Sequence, residues 1–171
     1  MKYSIVYSSQ TGNTAMLAQH LKERLPESSV YCGAPDGCSQ KSDLLFAGFW
    51  TNKGGSDRLA SDFLKALHGK QIFLFGTAGF GGSEEYYRQI LAGVKANPDS
   101  SNTVVGSYMC QGKMPLSVRQ RYEDMQSEYP EKTQKLMENF DRALSHPDQA
   151  DLDHFVQAAM NCIQKQGENH V

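Results

Sequence analysis

The sequence lacks an excess of charge of either sign and lacks any long hydrophobic run. Its 171 residues include 17 Lys or Arg and 19 Asp or Glu, which gives a formal net charge of −2. A protein that binds a polyanion normally carries a basic excess or stripe, so the composition argues against a nucleic-acid ligand. The longest apolar run, Leu44–Trp50, is far too short to cross a bilayer, so no membrane association is expected.

Cysteine is scarce, and no two cysteines form a C-x-x-C pair. The chain begins with a strand-like segment and shows neither the apolar region nor the cleavage site of a secretory signal. A cytoplasmic location is therefore expected, with reduced thiols and no disulfide between Cys32 and Cys38. The four cysteines are Cys32, Cys38, Cys110 and Cys162.

The histidines show no spacing typical of a metal site, so no metal is predicted. They are His20, His68, His146, His154 and His170. Cys110 has no paired base in the sequence and is interpreted as a small buried hydrophobic residue. No catalytic residue is therefore predicted.

Strand-like and helix-like segments alternate through the first 110 residues. Apolar or β-type runs predict strands at 2–7, 28–31, 43–50, 70–75 and 103–110. Helical spacing of apolar residues predicts helices at 14–25, 59–67 and 83–96. Such an alternation predicts an α/β fold, in which right-handed crossovers build a parallel sheet with helices on both faces.

The remaining residues read as helices at 115–126, 131–144 and 149–164. Prolines stand at the starts of the last two, where proline is tolerated. We predict a single domain over 1–171, with an α/β core at 1–110 and a helical C-terminal extension at 111–171.

The loop after the first strand has the chemistry of a phosphate site. Its hydroxyls surround Gly12, which lets the backbone approach a ligand closely, and a helix follows at once. The first turn of a helix offers free N–H groups and the positive end of the helix dipole. The loop contains no lysine or arginine and no Walker-type spacing, which favours a monophosphate held without magnesium.

The pattern Ser9-x-Thr11-Gly12-x-Thr14 resembles the phosphate loop of the flavodoxin family. The resemblance implies a flavodoxin-like doubly wound sheet with strand order 2-1-3-4-5, non-covalently bound FMN and electron transfer. By that resemblance, the phosphate would lie on Ser9, Gln10, Thr11, Gly12, Asn13 and Thr14.

Two further loops at strand carboxyl ends are expected to hold the flavin ring. The first carries the only tryptophan and a glycine pair, and the second is rich in glycine. An aromatic partner for the ring can come from Phe80 or from Tyr86, and the sequence does not choose between them. Tyr87 fits better as helix core. The residues expected at the ring are Trp50, Thr51, Asn52, Lys53, Gly54, Thr77, Ala78, Gly79, Phe80 and Tyr86.

Three further segments resemble one subgroup of flavodoxin-like proteins from anaerobic and gut bacteria. That subgroup includes the flavodoxin-like protein associated with bilirubin reductase. The resemblance implies that the partners are a reductase donor and a flavin or iron–sulfur acceptor enzyme. The segments are 49–54, 110–114 and the His146-Pro147 pair with Asp151 and Leu152.

The sequence thus predicts an FMN-binding electron carrier that shuttles electrons from a reductase to a redox enzyme. Two alternatives stay open: a binding module whose FMN affinity is weak or lost, and an NAD(P)H-dependent FMN oxidoreductase. Lys113, Arg119 and Arg121 are interpreted as a solvated helix face because Glu123 and Asp124 lie nearby. The C-terminal helices are expected to cover a flank of the flavin slot or to offer a partner surface.

Overall fold

A computed structural model describes residues 2–26, 29–37 and 39–168. It contains six strands: β1 Tyr3–Tyr7, β2 Tyr31–Gly33, β3 Leu44–Asn52, β4 Gly55–Ser56, β5 Gln71–Ala78 and β6 Thr103–Gln111. It contains six helices: α1 Asn13–Arg24, α2 Arg58–Lys65, α3 Glu84–Lys95, α4 Leu116–Met125, α5 Pro130–Ala143 and α6 Gln149–Glu168.

The strands form one sheet in the order β2-β1-β3-β5-β6, and all neighbours on this path are parallel. Counted without β4, this is the predicted order 2-1-3-4-5, so the flavodoxin-like fold class is confirmed. The two-residue strand β4 was not predicted and pairs antiparallel with the end of β3. The predicted second strand at 28–31 begins outside the described residues, and β2 is placed at Tyr31–Gly33.

The central strands are apolar on both faces because helices cover each side of the sheet. On one face, Ile5, Phe46 and Phe73 pack with Leu17 and Leu21 of α1. The opposite face packs against α2 and α3, through residues that include Phe63, Leu64, Ile90 and Val94. Continuous burial of this kind is what parallel strands require.

The three helices of the predicted C-terminal extension pack in two different places. Helix α6 belongs to the core, since Phe155, Val156, Ala159 and Cys162 are buried in the same cluster as the apolar residues of α1. Helices α4 and α5 instead pair with each other beyond the carboxyl edge of the sheet. Arg119 of α4 joins the two helices through its ion pair with Asp141 of α5, and it also pairs with Glu123 one turn along α4.

Three of the four cysteines can be placed in the structure. Cys32, Cys110 and Cys162 are free thiols, and Cys38, the other member of the pair considered for a disulfide, lies outside the described residues. Burial raises the pKa of Cys110, and the charges of Asp151 and Asp148 raise it further. Cys110 is therefore a buried, neutral thiol. Within the described part of the chain, none of the helices is long and apolar enough for a membrane span.

Gly93, inside α3, offers a test of local stability. A Cβ built there meets no heavy atom within 4 Å, and its backbone is not in the left-handed region. We expect Gly93→Ala to raise the free energy of unfolding by about 0.5–1 kcal/mol, because alanine loses less backbone entropy on folding. Urea denaturation followed by circular dichroism measures the change, and a destabilised variant would contradict the expectation.

Candidate cofactor site

A cavity of about 520 Å³ opens at the carboxyl edge of the sheet, a size typical of small-molecule sites. The loops after β1, β3, β5 and β6 and the start of α4 line it. The predicted site residues along it are Gln10, Thr11, Asn13, Trp50, Thr51, Lys53, Gly54, Thr77, Ala78, Gly79, Phe80 and Tyr86. Ser9, Gly12, Thr14 and Asn52 do not line it.

The loop that joins β1 to α1 is called the first loop below. It turns into α1 through Gly12, whose φ of 89° lies in the left-handed region that favours glycine. Ser9 Oγ accepts a hydrogen bond from the Ala15 N–H at 3.2 Å, so this hydroxyl caps the helix. No bond to the backbone N–H groups of Asn13 and Thr14 is found among the described residues. These two groups remain donors at the positive end of the helix dipole.

The Thr14 side chain points into the core of the protein. Its side chain is fully buried, and its hydroxyl donates to the Phe49 carbonyl at 3.1 Å. The same oxygen lies 3.1 Å from Thr77 Oγ1. The Thr14 hydroxyl therefore ties α1 to β3 and β5 instead of facing the cavity.

The Asn13 carboxamide connects the first loop to the segment after β6. Its Nδ2 donates to Thr11 Oγ1 at 3.0 Å and to the Lys113 carbonyl at 2.9 Å. Its Oδ1 is buried and has no partner among the described residues. A buried acceptor without a donor is costly, so a ligand that brings a hydroxyl or N–H group would be favoured there.

The loop after β3 is a tight hairpin. Lys53 and Gly54 form its two-residue turn, with φ values of 50° and 80°, as a type I′ turn requires. Lys53 is the one non-glycine residue of the described chain with positive φ. Asp57 holds the base of the hairpin, because its carboxylate accepts from the Trp50 and Ala60 backbone N–H groups. Thr51 Oγ1 is a second buried atom without a partner among the described residues.

Phe80 and Tyr86 both line the cavity, and they pack edge to face with ring centres 6.3 Å apart. Burial raises the pKa of Tyr86. Ser83 caps α3 by accepting from the Tyr86 N–H at 3.2 Å. Tyr87 does not line this cavity and packs against the core beneath α3, as predicted.

A cluster of buried side-chain amides fixes the glycine-rich loop after β5. Gln111 Nε2 donates to the Gly79 carbonyl at 3.0 Å and to Asn139 Oδ1 at 3.1 Å. Asn139 Nδ2 donates to the same Gly79 carbonyl at 3.0 Å. Because Asn139 belongs to α5, the helical hairpin positions this side of the cavity.

One wall of the cavity was missed by the sequence interpretation. This wall is formed by Gly112, Lys113, Met114, Pro115, Ser117, Val118, Arg121 and Tyr122. Burial raises the pKa of Tyr122, and the charge of Arg121 opposes that shift. Lys113 and Arg121, interpreted as part of a solvated helix face, are exposed and also line the cavity, whereas Arg119 pairs with nearby acids.

His146, Asp148 and Asp151 offer potential ligand atoms within 4.8 Å of one another. Helix capping accounts for their arrangement. Asp151 Oδ2 accepts from the Asp148 N–H, Asp148 Oδ1 accepts from the Asp151 N–H, and His146 Nδ1 lies 2.6 Å from Asp151 Oδ2. Such reciprocal bonds satisfy the orphan N–H groups at the start of α6.

The chain belongs to the Flavodoxin domain family, whose model matches residues 4–160. It is 36% identical to the flavodoxin-like domain-containing protein BilS of Clostridium symbiosum (strain WAL-14163), covering 98% of each chain. Among solved structures, oxidised Flavodoxin 2 from Bacillus cereus is 16% identical, with a TM-score of 0.57 and coverage of 96% of this chain and 99% of that one. A flavoprotein from Lactobacillus acidophilus NCFM in complex with FMN is 13% identical, with a TM-score of 0.50 and coverage of 64% and 93%.

Proposed function

We propose that this chain is a flavodoxin-type electron carrier that takes electrons from a reductase and delivers them to a partner redox enzyme. The observation that carries the proposal is the cavity itself. The chain belongs to the flavodoxin family, and its cavity extends from the N-terminus of α1 to the loops after β3 and β5, at the carboxyl edge of the sheet. Open α/β sheets bind their ligands at this edge.

FMN is the cofactor, and the residues present fit it. The unpaired N–H groups of Asn13 and Thr14 suit a phosphate. The unpartnered Asn13 Oδ1 and Thr51 Oγ1 suit the hydroxyl and N–H donors of the ribityl chain and the ring. Trp50, Phe80 and Tyr86 supply aromatic surface along the same cavity.

FMN supplies the electron-transfer chemistry, and the chain binds and orients it. Among the described residues, no His, Cys, Asp or Glu lines the cavity. The described part of the site therefore lacks imidazole, thiol and carboxyl groups, and lysine and tyrosine are the remaining side chains there that can act as general acids or bases. This supports electron carriage over catalysis on a bound substrate. Lys53, at the turn of the β3–β4 hairpin, places a positive charge at the cavity. A positive charge near the flavin ring favours the reduced, electron-rich forms of the flavin.

The partner is proposed to be a flavin or iron–sulfur enzyme, with a bilirubin-reductase-type flavoenzyme as the specific candidate. The likeness to BilS supports this choice. So do the segments 49–54 and 110–114, each of which contributes residues to the cavity lining. We also propose that the carrier acts in the cytoplasm.

A spectroelectrochemical titration of the FMN-reconstituted protein tests the proposal. We expect two separated one-electron steps and no sustained oxidation of NADH or NADPH by the pure protein. A single two-electron step with sustained nicotinamide oxidation would favour the oxidoreductase alternative. A protein that stays colourless after FMN is added would favour the binding module.

A further inference from the structure

The charge of the cavity lining differs from that of the whole chain. The chain carries 17 basic and 19 acidic residues. Within the described residues, however, the cavity is lined by Lys53, Lys113 and Arg121 and by no acidic side chain. None of these three side chains has an ion pair among the described residues, so their charges are available to a ligand.

Of the three basic residues, Lys113 has a backbone that hydrogen bonds hold beside the first loop. Its carbonyl accepts the Asn13 Nδ2 hydrogen bond at 2.9 Å, and the same Nδ2 donates to Thr11 Oγ1 at 3.0 Å. Its own N–H donates to the His146 carbonyl at 2.9 Å, which holds the segment from the other side. The backbone is therefore anchored at both polar groups, while the side chain is exposed.

The first loop also has a buried polar atom that calls for a ligand donor. Asn13 is 6% exposed and lines the cavity, and its Oδ1 acceptor has no partner among the described residues, which suits a hydroxyl of the ribityl chain next to the phosphate. Loop residues 9–14 carry no cation, and a helix dipole supplies only about half a unit charge. A phosphate monoester carries nearly two negative charges, so the loop alone leaves most of that charge uncompensated.

We propose that Lys113 is the counter-charge of the cofactor phosphate, supplied by the segment between β6 and α4. The inference rests on the proposed function and adds a phosphate-recognising residue that the loop motif does not contain. A lysine ammonium acts as a point charge and reaches phosphate oxygens by charge-assisted hydrogen bonds. Lys113 thereby distinguishes phosphorylated flavin from riboflavin.

The experiment compares FMN with riboflavin, which has the same ring and ribityl chain but no phosphate. Apoprotein is titrated with each flavin, and quenching of flavin fluorescence gives the affinity. We expect Lys113→Gln to weaken FMN binding about five- to tenfold at low ionic strength, the range of one solvent-accessible charge-assisted bond. We expect riboflavin affinity to stay unchanged and Lys113→Arg to retain most of the FMN affinity.

Two matched variants separate a local contact from a general charge effect. Lys132→Gln removes the same charge from an exposed position on α5, outside the cavity, and should leave both affinities unchanged. Arg121→Gln removes one charge from the cavity lining and should reduce the preference for FMN less than Lys113→Gln does. Added salt should weaken FMN binding more in the parent protein than in Lys113→Gln.

The proposal is overturned if Lys113→Gln leaves FMN affinity unchanged or weakens both flavins equally. It is also overturned if Arg121→Gln or Lys132→Gln lowers the FMN preference as strongly. These results would leave the proposed function intact, because the parent protein would still bind FMN. A parent protein that binds neither flavin would instead overturn the proposed function together with this inference.

Discussion

Replacing Phe155 by alanine is expected to lower the free energy of unfolding by about 3–5 kcal/mol, the usual cost of deleting a buried aromatic ring. Phe155 is fully buried, and its ring lies 4.8 Å from Phe75, 5.4 Å from Tyr108 and 6.1 Å from Phe73, measured between centres. These three partners belong to β5 and β6. The lost ring therefore opens a cavity between α6 and the sheet, and urea denaturation measures the loss.

Leu144, just after α5, provides the matched control because its side chain is 51% exposed. Leu144→Ala should change the unfolding free energy by no more than about 0.5 kcal/mol. If Phe155→Ala cost as little as Leu144→Ala, α6 would not be an integral part of the core. The FMN affinity of folded Phe155→Ala should be retained, since Phe155 does not line the cofactor cavity.

The α/β fold could be predicted because its main signals are local. Strands β3 and β5 are apolar at nearly every position, and helices with clear apolar spacing separate the strands. The role of α6 could not be predicted in the same way. Its apolar face shows that Phe155 is buried somewhere, but periodicity does not say which surface covers it. The structure places α6 beside α1 on the same face of the sheet, where Phe155 covers Phe73, Phe75 and Tyr108 of β5 and β6.

The candidate site could likewise be predicted only in part from the sequence. Loops that follow strands could be assigned to the cavity, since parallel strands bring their carboxyl ends to one edge. The direction of one hydroxyl could not be assigned. Thr14 fits the loop pattern, yet Phe49 and Thr77 lie close enough to take its side chain inward. The wall that contains Lys113 was missed because Asn13 and Lys113 are 100 positions apart and only the fold joins them.

The close contact between Gly112 of that wall and Asn13 predicts a second mutation with a large effect on FMN binding. A Cβ added at Gly112 would lie 2.5 Å from Asn13 Nδ2 and 2.8 Å from Asn13 Cγ. Gly112 does not have a positive φ, so alanine fits its backbone and the clash is the main consequence. We expect Gly112→Ala to displace the Asn13 carboxamide from Thr11 Oγ1 and from the Lys113 carbonyl. FMN affinity should fall about tenfold or more, because binding must then reorder a loop that two hydrogen bonds of about 0.5–1.5 kcal/mol each had held in place.

Gly93→Ala is the control for Gly112→Ala, because it is the same chemical change where the new methyl group meets nothing. Fluorescence titration should show normal FMN affinity for Gly93→Ala and weak affinity for Gly112→Ala, with both apoproteins folded by circular dichroism. Normal FMN binding by Gly112→Ala would mean that the first loop does not need Asn13 in place. Since Asn13 also fixes the backbone of Lys113, Gly112→Ala should lose more FMN affinity than Lys113→Gln, which removes the charge alone.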